Sequence, residues 1–269
     1  MLTNPDRGTN QISSDKLKGE LFVDQSELDD LKIATVRSKK STAKHIIFLH
    51  GGAYFAEAVK GHRQLIEKLV LLHSYKVSFI DYPLAPENNA TTTLSLVEKA
   101  FNKIADEFPD DEFLLFGDSA GGGLALALIQ ILRDNKNPKM PLKTVLVSPW
   151  LDISMSNSEI SGYTAKDVLL NYNGLKECGK IYAQDLDLKD PKVSPIYGNL
   201  ENLSKIKIFV SDSELFYPDC LLLKRKLDSA SGSTAFLSIK EKMIHDWIVL
   251  PIKERDDTID EMVDFYHEN

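Results

Sequence analysis

Phe113 to Asp134 reads FLLFGDSAGGGLALALIQILRD: four apolar residues, a turn centred on Ser119, then a Leu/Ala/Ile run with helical spacing. Strand, sharp turn and helix in that order form the setting in which Gly-x-Ser-x-Gly presents a serine hydroxyl at the top of a sheet. Gly117 and Gly121 have a mechanical reason to flank the serine. A side chain two positions either side of it would run into the adjoining strand or helix. Taken alone, the motif is equally compatible with a small-residue turn that only packs. A base, an acid and an oxyanion hole in the right order elsewhere would decide for chemistry.

Outward from the turn, strand and helix patterns alternate. Upstream, His45 to Leu49 (HIIFL) is a short continuous apolar run, as expected of a strand buried on both faces, and it ends at His50-Gly51-Gly52-Ala53-Tyr54. Gln64 to Leu72 has amphipathic spacing, and Lys76 to Asp81 is a strand stopped by the two prolines of Tyr82-Pro83-Leu84-Ala85-Pro86-Glu87. Leu94, Val97, Phe101, Ile104, Ala105 and Phe108 recur on one helical face, closed by Pro109 and the pair Asp110-Asp111. Downstream, Lys143 to Val147 is a buried-type strand ending at Ser148-Pro149-Trp150-Leu151-Asp152. Ile206 to Val210, Pro218 to Asp228, Thr234 to Ile239 and Thr258 to Tyr266 then read as strand, helix, strand and helix. Nearer the start, Glu20 to Val23 and Lys32 to Arg37 read as an edge hairpin, and residues 1–19 as a loosely ordered stretch or short lid.

The rhythm breaks between Ile153 and Leu203, where helical patterning is weak and centred on Lys166 to Gln184. So long an interruption in a compact domain predicts a functional insertion, such as a cap. The expected architecture is one α/β domain: a mostly parallel sheet, helices on both faces, and a small cap, 153–203, inserted after the sixth strand.

Composition narrows the function. A net charge of −8 and a pI of about 5.3, with no dense Lys/Arg block, give no footprint for nucleic acid or an anionic membrane. The N-terminus lacks a basic start followed by an apolar core, and no stretch approaches the roughly 18 apolar residues of a membrane span, so a cytoplasmic location is expected. Cys178 and Cys220 have no metal-ligand spacing and read as buried or inert. No metal and no cofactor are expected.

Ligands of such sheets sit at the carboxyl ends of the strands. Four ends matter here: those after Leu49, Phe116, Val210 and Ile239. Taken together, His50-Gly51-Gly52-Ala53-Tyr54, Asp81 to Glu87, Gly117 to Gly123 and Ser148 to Asp152 resemble the hormone-sensitive-lipase family of α/β-hydrolases, in its microbial carboxylesterase branch. The resemblance runs from about His45 to the C-terminus. It implies an α/β-hydrolase fold and cofactor-free ester hydrolysis through a Ser/His/acid triad.

Carried over residue by residue, the resemblance makes Ser119 the nucleophile. His245 is the base, in the loop after the last strand, since the order Ser, acid, His fits the fold. His50 precedes the serine and would hold the glycine loop in shape. His45, His62, His73 and His267 read as packed or solvated. The acid aligns with Glu214, where most of the family has aspartate; Asp212, two residues nearer the strand end, is the rival. Asp219 reads as a first-turn helix carboxylate, and Asp118 as a carboxylate satisfied by loop amides. The implied oxyanion donors are the backbone N–H groups of Gly52, Ala53 and Ala120. The chain departs from the family at Ala53 (usually glycine), Pro83 (usually arginine) and Ser211 (often glycine).

The expected activity is that of a serine carboxylesterase on small, short- to medium-chain esters, with a shallow, open site because little chain precedes the sheet. An amidase or peptidase on the same triad, and a non-catalytic small-molecule-binding relative, are the alternatives. The edge strand and last helix offer surfaces for a homodimer.

Overall fold

The computed structural model describes residue 12 and residues 16–268. Eight strands form one sheet: β1 (Phe22–Leu28), β2 (Leu31–Arg37), β3 (Lys44–Leu49), β4 (Lys76–Asp81), β5 (Glu112–Asp118), β6 (Lys143–Val147), β7 (Ser204–Ser211) and β8 (Ser233–Lys240). Their spatial order is β1-β2-β4-β3-β5-β6-β7-β8. Only β1 and β2 run antiparallel to their neighbours; β4, β3, β5, β6, β7 and β8 are parallel throughout. The carboxyl ends of β3, β5, β6, β7 and β8 therefore open on one edge of the sheet.

Six α-helices cover it: α1 (Lys60–His73), α2 (Ala90–Glu107), α3 (Ser119–Asp134), α4 (Tyr172–Ala183), α5 (Tyr217–Asp228) and α6 (Lys253–His267). Two apolar layers result. One packs α2, α3 and α5 on one face of the sheet, and the other packs α1 and α6 on the opposite face, with Phe48 stacked on Phe116 at 4.5 Å between ring centres. Each Leu, Ile or Phe so buried contributes about 1.5–3 kcal/mol. Helix α3 is apolar nearly all round and is buried from Ser119 to Gln130, as a helix threaded through a core must be. Its N-terminus is thereby fixed at the centre of the sheet's active edge.

The hairpin forms, but β1 extends to Leu28, beyond the expected Val23, through Asp24-Gln25-Ser26-Glu27. Its ladder to β2 holds this polar segment as an edge strand. The expectation of a loose segment or lid over residues 1–19 lies, for 1–11 and 13–15, outside the described residues. Ile12 is fully buried in the α1/α6 layer, and the Lys18 N–H donates to Glu67 Oε1 at 3.1 Å.

The insertion after β6 contains α4 and two short 3-10 turns, Ser158–Gly162 and Pro195–Tyr197. The Asp152 carboxylate organises its root, accepting from Ser154 N (2.8 Å), Ser154 Oγ (2.5 Å), Ser156 Oγ (3.0 Å) and Tyr197 OH (2.8 Å). Contacts that join the insertion to the active edge include Tyr182 of α4 stacked on Tyr54 at 3.7 Å and Asp167 Oδ2 accepting the Leu215 N–H at 2.9 Å. Among the described residues, no helix is long and apolar enough to cross a membrane.

Candidate active site

Ser119 closes β5 and starts α3 with φ +49°, a left-handed conformation that costs a non-glycine residue about 1–2 kcal/mol. Neighbours hold it there. The Ser119 carbonyl accepts the Trp150 N–H at 2.8 Å. A Cβ on Gly117 would strike the Gly121 carbonyl of α3, and one on Gly121 would strike the Leu49 carbonyl at the end of β3. Glycine is required at both positions for the turn to seat between strand and helix.

His245 lies in the turn after β8, and its imidazole spans two partners: Nε2 is 2.9 Å from Ser119 Oγ and Nδ1 is 2.5 Å from Glu214 Oε2. A carboxylate can only accept, so Nδ1 carries the proton and Nε2 turns a lone pair to the serine hydroxyl. The second oxygen of Glu214, Oε1, accepts the Ser211 N–H (2.8 Å) and the Ser148 hydroxyl (2.9 Å). All three groups are buried, Ser119 to 7%, His245 to 4% and Glu214 to 0% exposure, so their hydrogen bonds are shielded from water. Phe216 packs edge-on against the imidazole at 5.2 Å.

Of the two candidate acids, the structure brings Glu214 to His245 and leaves Asp212 apart. Asp212 is half-exposed, and its Oδ1 accepts the Lys242 N–H (2.7 Å) and the Ser213 hydroxyl (2.9 Å), the former holding its carboxyl below the usual range. It ties together the loops that follow β7 and β8.

Facing the serine is the loop after β3. His50 Nδ1 donates to the Gly51 carbonyl at 2.6 Å, and the ring stacks on Tyr82 at 4.5 Å, while Tyr82 OH donates to the His50 carbonyl at 2.6 Å. Burial, with the neighbouring His62, pushes His50 down to about 4, so it is a neutral brace near pH 7. The Gly51 N–H is taken by Asp118 Oδ2 at 2.8 Å, which leaves Gly51 a turn residue. Beyond it, Gly52, Ala53 and Tyr54 all have positive φ (+133°, +54° and +65°), and the Gly52 carbonyl accepts from Phe55 N and Ala56 N. Among the described residues, no protein acceptor takes the N–H of Gly52 or Ala53. Ala53 thus adopts the left-handed conformation that glycine would adopt freely.

Beside this lies a polar cluster that residue spacing does not reveal. Asp118 Oδ2 also accepts from His62 Nε2 at 2.9 Å, while His62 Nδ1 accepts the Val59 N–H. His62 was expected to be only packed or solvated, and Asp118 to be satisfied by loop amides; one amide, that of Gly51, is indeed there. The remaining neighbour is Asp246, a carboxyl oxygen of which lies within 4.8 Å of one of Asp118. Ser148 links the cluster to Glu214, since its Oγ also accepts the Asp246 N–H at 3.3 Å. No periodicity or motif relates Asp246, His62 and Ser148; the loops after β6 and β8 and the first turn of α1, far apart in the chain, bring them together.

The other expected positions are placed as follows. His45 is buried between Asp111 and Ser78, and Cys178 and Cys220 are free, buried thiols that burial pushes up. Asp219 sits in the first turn of α5, but buried, and burial pushes its carboxyl up to about 6.

A family model described as the alpha/beta hydrolase fold matches residues 46–249, from β3 to the turn after His245. An acetyl-hydrolase of Streptomyces hygroscopicus is 29% identical over 79% of this chain and 71% of that protein. An esterase of Acinetobacter venetianus is 28% identical over 75% of this chain and 67% of that protein. Among solved structures, EstE5 soaked with p-nitrophenyl butyrate superposes with a TM-score of 0.85 at 28% identity, covering 93% of this chain and 85% of that one. A hormone-sensitive lipase from a metagenome library gives 0.85 at 26% identity, over 93% and 86% of the two chains. With four strand-end motifs, a hydrolase-type sheet and a matching family model over most of its length, the chain belongs to the α/β-hydrolase family, in its hormone-sensitive-lipase-like branch.

Proposed function

We propose that this carboxylic ester hydrolase is a serine carboxylesterase that cleaves small esters of short to medium acyl chain through an acyl-enzyme. The observation that carries the reading is the unbroken relay from Ser119 Oγ through His245 to Glu214. Ser119 Oγ attacks the ester carbonyl carbon while its proton passes to His245 Nε2. Glu214 holds the imidazole in the accepting tautomer and stabilises the imidazolium that forms. The oxyanion lodges on the N–H groups of Gly52, Ala53 and Ala120, each such donor being worth about 2.7–4 kcal/mol in the transition state. The tetrahedral adduct collapses, the C–O bond to the alcohol breaks, and the leaving alkoxide takes the proton from His245. Water, deprotonated by the same nitrogen, then attacks the acyl carbonyl, and the acid leaves as Ser119 regains its proton.

Acyl-chain length is supported by the relatives named acetyl-hydrolase and by the butyrate ester soaked into EstE5. The reading keeps the protein in the cytoplasm, in line with two unpaired cysteines, and admits a homodimer through the β8 edge, where Phe236 and Ile239 are exposed. A fluorophosphonate probe and an acyl ladder of p-nitrophenyl esters test it. Wild type should be labelled and Ser119→Ala should not; persistent labelling of Ser119→Ala removes Ser119 as nucleophile. A preference for chains beyond about ten carbons would contradict the proposed substrate class.

A further inference from the structure

Asp246 follows the candidate base and Asp118 precedes the candidate nucleophile. Their carboxyl groups come together, and one oxygen of each and a ring nitrogen of His62 all lie within 4.8 Å of one another. Asp118 Oδ1 and Asp246 Oδ1 are both shut off from solvent, and neither receives an N–H or hydroxyl donor. Among the described residues, no lysine or arginine contacts either group. The titratable groups that face them are His62 and His50 on the Asp118 side, and Glu214 and His245 beside Asp246. Two ionised carboxylates cannot face each other in such a setting; one proton between them relieves both.

The donors already in place say where that proton sits. The Gly51 N–H and His62 Nε2–H both point at Asp118 and favour its ionised form. Asp246, by contrast, has its Oδ1 buried without a donor of its own. Its backbone is left-handed, φ +58° and ψ +37°, a conformation that aspartate tolerates better than most residues and that aims this carboxyl back at the elbow. We propose that Asp246 is a positioning residue for the acyl-transfer site: held as a neutral carboxylic acid, it donates a hydrogen bond to the Asp118 carboxylate and ties the His245 loop to the nucleophile elbow, and it releases that loop when its proton is lost. Burial pushes the Asp246 carboxyl well up, and the facing Asp118 charge pushes the same way. Burial alone would raise the Asp118 carboxyl, but His62, the Asp246 carboxyl and His50 together outweigh it and hold Asp118 below the usual range. Once Asp246 ionises, its charge opposes both Asp118 and Glu214, the loop moves away from the elbow, and the 2.9 Å contact between His245 Nε2 and Ser119 Oγ opens.

The proposal rests on the reading of Ser119 and His245 as nucleophile and base, which Ser119→Ala labelling tests separately. The experiment is the kcat-pH profile on p-nitrophenyl butyrate of wild type, Asp246→Asn and Asp246→Ala. Wild type is expected to lose kcat reversibly on the alkaline side. Asp246→Asn keeps a neutral donor, so near neutral pH it retains wild-type kcat within about threefold, and its alkaline fall moves up by about one pH unit or more. Asp246→Ala loses the tether, and kcat drops by about tenfold to a hundredfold with KM little changed. Coincident alkaline limbs in wild type and Asp246→Asn would overturn the proposal. The infrared difference spectrum of wild type minus Asp246→Asn at neutral pH needs no activity and should show a protonated-carboxyl stretch; its absence overturns the assignment even if the alanine variant fails to fold. Activity should survive dialysis against a chelator, whereas loss on chelation would mean that a cation, not a proton, offsets the two carboxylates.

Discussion

Replacing Glu214 by Gln tests the acid through the hydrogen-bond pattern around it, because the change is isosteric and removes only charge and acceptor capacity. Oε1 of Glu214 faces the Ser211 N–H, a backbone donor that cannot reverse. The glutamine carbonyl must therefore take that side, and its NH2 must face His245 Nδ1. A donor there forces Nδ1 to accept, which moves the ring proton to Nε2, opposite Ser119 Oγ. The base then has no lone pair for the serine proton. In the serine-protease triad, the aspartate-to-asparagine change that imposes the wrong tautomer lowers kcat by about 10⁴, equivalent to about 5.4 kcal/mol of barrier at 1.36 kcal/mol per decade. The same logic predicts a loss of about 10³–10⁴ in kcat for Glu214→Gln, with KM nearly unchanged because no substrate contact is removed.

The assay is steady-state hydrolysis of p-nitrophenyl butyrate, with the fluorophosphonate rate as an independent measure of nucleophile reactivity. Asp212→Asn is the control. Its partners, Lys242 N and Ser213 Oγ, both donate to an oxygen that asparagine keeps, so kcat should stay within about threefold. Glu214→Gln within tenfold of wild type, or Asp212→Asn falling as far, would refute the tautomer reasoning.

Two further outcomes follow from particular positions. Asp219 is 1% exposed, with Asn157 as donor to Oδ1 and none to Oδ2, and burial raises its carboxyl to about 6. The folded state therefore binds more protons than the unfolded state between about pH 4 and 6, and stability falls as pH rises through that window, by about 2–3 kcal/mol in all. Asp219→Asn should be more stable than wild type at pH 7 by up to about 2 kcal/mol, after some loss of helix-dipole attraction, and show no gain at pH 4 by urea unfolding. An equal difference at both pH values would exclude an ionisation effect. Ala53→Gly should release the left-handed strain at φ +54° and stabilise by about 0–1 kcal/mol, the gain in strain being offset by glycine's chain entropy, with kcat retained; a loss of ten-fold or more in kcat would show that the methyl positions the loop.

Much of the frame was legible because its signals are local. HIIFL and FLLFG each carry their own evidence for strands buried on both faces, and the glycines of the elbow announce a close approach that a Cβ would block. What was missed is local too, but of opposite sign. Helix α1 starts at Lys60, four residues before the amphipathic pattern, because Gly61 weakens the helical signal while allowing the helix to pack against Val249. Helix α6 starts at Lys253, not Thr258, since its first turn is charged and reads as loop although Glu254 and Asp256 suit a helix N-terminus.

The site divides along a different line. Ser119, His245 and Glu214 could be named because each stands at a strand end within a recognisable motif. The groups that hold them in place stand at strand ends as well, but they hydrogen-bond across the sheet instead of along the chain. Ser148, after β6, donates to Glu214 and accepts from Asp246; Asp118, at the end of β5, takes Gly51 after β3 and His62 of α1. Parallel register is what makes this possible. It sets five strand ends side by side, so that each loop can satisfy its neighbour's buried polar atoms. The choice of glutamate over aspartate at 214 belongs to that network. Ser148 and Ser211 together fix Oε1, and the longer side chain still places Oε2 at 2.5 Å from the imidazole. Shortening it to aspartate would force a choice between His245 and the Ser148/Ser211 pair. A buried carboxylate that loses either set is left with an unsatisfied oxygen, so Glu214→Asp should cost both kcat and stability in this chain, although aspartate is usual in the family.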